Sequence, residues 1–169
     1  MEDRPPDGAS MIGRPIRRKD RALGPDECLD LLGRGEYGIL ATVDAGGQPY
    51  AVPLSYVFLN GRIYFHCALE GHKVANIRHN SRASFAVVGK TEPVYDQGFS
   101  RYYESVIVFG PLRPVEEERE KHAALRALVD KYLPANLSEA EDDIKRLFSR
   151  TLVYRLEPAV LTGKAKKKK

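Results

Sequence analysis

Apolar residues along this chain alternate in short runs more often than they recur at helical spacing, a pattern that predicts a mainly β protein. Tyr37–Val43 reads as a first strand, closed by the turn residues Asp44-Ala45-Gly46-Gly47. Tyr50–Leu59 reads as the next, and Asn60-Gly61 is a two-residue hairpin signal. Arg62–Cys67 then returns with Ile63, Phe65 and Cys67 on one face and Tyr64 and His66 on the other. Pro53 predicts that its strand lies at an edge or is interrupted, because proline has no N–H to give a ladder. Ala83–Val88, Tyr103–Leu112 and Thr151–Thr162 continue the series. The unbroken run Val106–Phe109 predicts burial on both faces. Lys90–Arg101, with Pro93 and Gly98, reads as a polar loop long enough to act as a lid.

Helical spacing appears in four places. Pro25–Leu32 has proline at an early position and acids in its first turn, Lys73–Asn80 is short, and Val115–Tyr132 carries the stripe Leu125, Leu128, Val129 and Tyr132. Ser138 and Glu141 have the spacing of a capping box for a helix reaching Phe148. Six or seven antiparallel strands with helices inserted between them predict an α+β, mainly β fold, a small barrel with helical decoration.

Composition narrows the setting. A chain of 169 residues that is 43% hydrophobic is one ordinary domain. No apolar run approaches the ~20 residues of a membrane span. Met1–Asp20 has no apolar segment of the secretory kind, so Cys28 and Cys67 read as reduced thiols and the expected location is cytoplasmic. The net charge of +4 is concentrated in residues 163–169, which hold five lysines. Without them the chain is close to neutral, and its strands lack the aromatic and basic interleaving of a nucleic-acid face. The expected organisation is a flexible basic arm over 1–22, a folded domain over 23–162 and a disordered lysine-rich tail over 163–169.

The chemistry concentrates between Gln48 and Val88. Glu70-Gly71-His72-Lys73 puts a glycine, a cation and free helix N–H groups just after a strand, an arrangement suited to phosphate. A nucleotide-type ligand would then place its phosphate near Lys73 and lie along Ala51–Ser55 and His66–Cys67. His72 fits either phosphate or water, and a lone strand histidine such as His66 is as readily structural as functional. Cys67 reads as a packed small residue. The absence of HExxH, CxxC and triad patterns predicts no metal site.

Tyr64-Phe65-His66-Cys67, Gly71-His72-Lys73, Asn76-Ile77-Arg78 and Asn80–Phe85 together resemble the flavin-binding core of the pyridoxamine 5′-phosphate oxidase-like family. Within it, Pro53–Tyr56, Glu70–Lys73 and Tyr103–Gly110 are most similar to the 5-nitroimidazole resistance (Nim) branch. The resemblance implies an FMN-binding split β-barrel, with FMN held at a homodimer interface by Ala51, Val52, Pro53, Leu54, Ser55, Phe65, His66, Cys67, His72, Lys73 and Ser105. It also implies an FMN-dependent oxidoreductase that takes electrons from a separate donor and reduces nitroaromatic or similar small aromatic compounds, with His66 as the catalytic residue. Gly71-His72-Lys73 stands where oxidases of this family tend to have Ser-Arg-Lys, and the Arg- and His-bearing C-terminal segment that holds pyridoxamine phosphate is missing, which argues against vitamin B6 oxidation. The alternative is a flavin- or haem-binding carrier of the same fold without turnover.

Overall fold

The computed structural model describes residues 15–95 and 98–168. Residues 1–14 of the expected basic arm lie outside the described residues. Among the described residues, eight strands and four α-helices follow in the order α1 (Pro25–Arg34), β1 (Gly38–Val43), β2 (Pro49–Leu54), β3 (Val57–Leu59), β4 (Arg62–Cys67), α2 (His72–His79), β5 (Arg82–Tyr95), β6 (Phe99–Pro114), α3 (Glu118–Tyr132), α4 (Leu137–Leu147), β7 (Leu152–Leu156) and β8 (Val160–Lys166). The hydrogen-bonded path runs β2-β1-β5-β6-β7-β4-β3, with β8 added to β6, and every pairing is antiparallel. Pro53 therefore sits on a terminal strand of the path, where its missing donor costs the ladder nothing. Asn60 and Gly61 take φ values of 49° and 76°, the positive pair that a type I′ turn requires.

The single strand expected over Tyr50–Leu59 is two strands, broken at Ser55–Tyr56. Those two residues join the two ends of the path covalently, which is where the barrel is split. Tyr56 turns its ring into the core, fully buried, and donates its hydroxyl to the Leu32 carbonyl at 2.7 Å. Its backbone is taken up by α3. The Tyr132 hydroxyl accepts from the Tyr56 N–H (3.0 Å) and donates to the Glu36 carbonyl (2.6 Å), while Lys131 donates to the Tyr56 carbonyl (3.1 Å). Side chains of α3 thus supply the partners that a ladder would have given.

Further expectations are corrected. Lys90–Arg101 is no lid: β5 and β6 stay paired out to Tyr95 and Phe99, past a register shift between Val88 and Thr91. The aromatic and β-branched residues of that stretch outweigh its Pro and Gly. Val106 and Val108 are fully buried but Ile107 is 39% exposed, so the apolar run on β6 is half outward-facing. Thr151–Thr162 is split into β7 and β8, and Gly163–Lys166, expected in a free tail, extend β8 along β6. Lys167 pairs with Glu27 and Lys168 with Glu92, at 2.9 Å for the latter. The capping box also fails to form. Helix α4 starts after Asn136, and Glu141 reaches across to His122 and Arg126 of α3 instead.

Two hydrophobic clusters fill the molecule. The larger lies inside the barrel around Leu31, Leu32, Leu40, Phe65, Phe85 and Leu156. The smaller lies outside it, where Tyr64 and Val153 meet Leu125, Leu128 and Ile144 of α3 and α4. Strand β4 is sandwiched between them, so its two faces have different tasks.

Candidate functional site

Helix α2 begins directly after β4 and the Leu69-Glu70-Gly71 turn, with Gly71 at φ 133°. Its inward face carries Val74 and Ile77, and the buried Asn76 amide donates to the Thr42 hydroxyl on β1 at 3.1 Å. That polar pair fixes the helix against the sheet. No acidic residue occupies its first turn and no side chain caps its N-terminus. His72 and Lys73 therefore put basic side chains at the positive end of the helix, where the dipole disfavours them. An anion at that end removes the conflict and takes up the open N–H groups.

His66 lies one strand position before Cys67 and points to the outer face of β4, where it is open to solvent at the floor of a groove. The surrounding walls, and then the nearby Lys73 charge, hold its imidazole below the usual histidine range. The same ammonium acts on Cys67, but burial prevails and pushes that thiol up. Lys73, His66 and Cys67 thus form one neighbourhood. His72 is close to it, its ring 4.1 Å from that of Tyr50 on β2.

The remaining sequence candidates divide by face. Ala51 and Pro53 are exposed on the outer side of β2, whereas Val52 and Leu54 lean on the barrel core. Ser55, exposed at the break after β2, shares the groove with His66. Phe65 is fully buried and stacked 5.8 Å from Tyr154, so its side chain is out of a ligand's reach. Ser105 is not brought to the others within one chain. It pairs with Val88, five β6 positions from Gly110, whose partner Ala83 lies at the α2 end of the sheet. At a rise of ~3.4 Å per residue that separation is about 17 Å.

What the sequence reading missed is the second wall. A cavity of about 360 Å³ opens between β4 and the helix pair, lined by Ser55 and His66 at one side and by Leu125, Leu128, Val129 and Ile144 at the other. The stripe on α3 was visible as core, but nothing in the sequence says that α4 stands off far enough to leave a space. Among the described residues no group of three or more His, Cys, Asp or Glu is placed to hold a metal ion, and no helix is long and apolar enough to cross a membrane.

The family model described as pyridoxamine 5′-phosphate oxidase matches residues 24–165. No curated protein matches the chain. Among solved structures, a candidate 5-nitroimidazole antibiotic resistance protein of Bacteroides thetaiotaomicron superposes with a TM-score of 0.73 at 21% identity, over 85% of each chain. The FAD- and haem-binding protein of Mycobacterium smegmatis gives 0.75 at 19% identity, covering 86% of this chain and 72% of that one. An FAD-binding protein of the same organism gives 0.57 at 26% identity, covering 86% and 99%.

Proposed function

Since the chain belongs to the pyridoxamine 5′-phosphate oxidase-like family of FMN-binding split barrels, we propose that it is an FMN-dependent oxidoreductase acting on small nitroaromatic or related aromatic compounds. The observation that carries the reading is the start of α2, where uncapped N–H groups, His72 and Lys73 converge with no acid among them. These groups fit the phosphate of FMN, and the exposed Ala51 and Pro53 of β2 fit one side of a flat ring. FMN, when bound, supplies electrons received from a separate reductant and passed to an acceptor.

The chain's own residues bind, orient and handle protons. Lys73 holds the phosphate as a point charge and the α2 amides fix its direction. Burial and then the Lys73 charge depress the His66 pKa, which makes its protonated form the stronger acid; that imidazolium gives up the proton and is refilled from water. A reduction that consumes protons draws one there, and a positioned donor contributes about 10²–10⁴-fold to such a step.

A homodimer completes the reading. Pro53, Ile39, Ala86 and Ile107 stand side by side across β2, β1, β5 and β6 on the outer face of the sheet. Ile39, Val88 and Ile107 are exposed there in the single chain, a contiguous apolar face that calls for a cover. In such a dimer Ser105 would reach the ligand only from the second copy, because one chain holds it far from the α2 end of the sheet.

The test is cofactor binding. An absorbance spectrum of the purified protein distinguishes flavin from haem at once. Lys73→Ala should weaken FMN by about 1.5–3 kcal/mol through loss of a charge-assisted bond. Riboflavin should bind the original protein poorly. Equal affinity for FMN and riboflavin rejects the phosphate role, and a strong preference for FAD over FMN moves the assignment to the cofactor named for the mycobacterial relative.

A further inference from the structure

We infer that the groove between β4 and the α3–α4 pair is the substrate compartment, and that it selects an uncharged aromatic molecule carrying one hydrogen-bond acceptor at its end. The inference rests on the oxidoreductase reading and adds the class of molecule that reaches His66.

The groove's polar groups decide what enters. Tyr132 lines it, but its hydroxyl is already engaged with Tyr56 and Glu36, so it offers only its ring. The Thr151 hydroxyl donates to the Leu147 carbonyl at 3.0 Å, and the Asp143 carboxylate is paired with Arg146. Ser55 and His66 have no side-chain hydrogen-bond partner among the described residues. Two unspent donors therefore face a cavity walled, beside the engaged Tyr132, Asp143 and Thr151, by leucine, valine, isoleucine and alanine side chains. Such a lining with a few convergent polar groups is the composition of a small-molecule pocket, and about 360 Å³ lies at the small end of that range.

Charge is excluded on physical grounds. Neither Lys73 nor any other lysine or arginine lines the groove, so a carboxylate or phosphate carried in among Leu125, Leu128, Val129 and Ile144 would lose its water without a counter-ion in the wall. A nitro or carbonyl oxygen at the His66 end needs only the Ser55 hydroxyl and the imidazole N–H, both of which donate. The aromatic body then occupies the space between the two helices.

The probe is N-phenyl-1-naphthylamine, a neutral aromatic whose fluorescence rises in apolar surroundings, titrated into the protein with and without FMN. It should bind one per chain in both forms, and nitrobenzene should displace it. 4-Nitrobenzoate should compete at least ~10-fold less well, because it would bury a charge. Ala140→Phe fills the groove from α4 and should abolish probe binding and raise the KM for nitrobenzene at least ~10-fold, with FMN affinity unchanged. Leu147→Lys, on the exposed rim, keeps the test open if the first variant does not fold, and should weaken the probe in the same direction.

Unaltered probe binding in the variant that folds overturns the inference. So does displacement of the probe by FMN, which would make the groove part of the cofactor site. A protein that binds no flavin but still takes the probe rejects the oxidoreductase reading instead, so the two failures are told apart.

Discussion

His66 is where one residue's surroundings have the clearest consequence. Its pKa is lower in the folded protein than in the unfolded chain, where ~6.5 applies. The unfolded state therefore binds more protons between those two values, and stability rises with pH across that window. The contribution is fully present above about pH 6.5 and is lost as pH falls through the folded value. Denaturant midpoints measured from pH 7.5 down to 5 should drop more steeply for the original protein than for His66→Asn. In single-turnover oxidation of the reduced protein by nitrobenzene, the same variant should keep its FMN, run slower and lose the fall in rate with rising pH that a protonated imidazole donor imposes. An unchanged rate and profile would make His66 structural. Its alternation with Phe65 and Cys67 was legible in the sequence, because strand periodicity decides which face a residue takes. The Lys73 charge and the groove walls were not, since both come from elements distant in the fold.

Among the elements, the joint between β2 and β3 depends most on a partner far away in sequence. Tyr132→Phe removes the hydroxyl that serves both the part-buried Tyr56 N–H and the exposed Glu36 carbonyl. The expected loss is about 0.5–1.5 kcal/mol, read as a lower midpoint in urea with the slope unchanged. A midpoint equal to the original would mean that water takes over both bonds. Most elements could be read from local pattern: α1 from Pro25 and its acids, the β3–β4 hairpin from Asn60-Gly61, and α2 from the glycine before it. The errors share one cause. The break at Tyr56, the split between β7 and β8 and the unused capping box each follow from contacts made across the molecule, with α3, with β6 and between α3 and α4. Of the candidate site, the uncapped start of α2 with His72 and Lys73 was local and visible; the groove belongs to helix packing and was not.

For the whole molecule, the outer apolar face of the sheet is the surface on which the proposed dimer depends. The protein should sediment as a dimer, and Ile107→Glu, at the middle of that face, should yield a folded monomer with weakened FMN binding. A monomer that holds FMN stoichiometrically would reject the shared site. Strand β6 pairs with β5 along one side, and along the other with β8 over Tyr103–Phe109. Strand β8 also receives the Leu23 N–H at the Gly163 carbonyl, 2.9 Å away, and places Gly163 so close to Cys28 that a Cβ there would collide with the sulfur. Among the described strands β8 is synthesised last, so the growing chain carries an unpaired β6 edge and an unanchored α1 until Gly163 has emerged. An open apolar edge is a template for pairing with a neighbouring nascent chain. Slow translation just before Val160 should therefore lengthen the interval in which that edge is open to pairing with another chain, the interval in which chaperone cover would matter most.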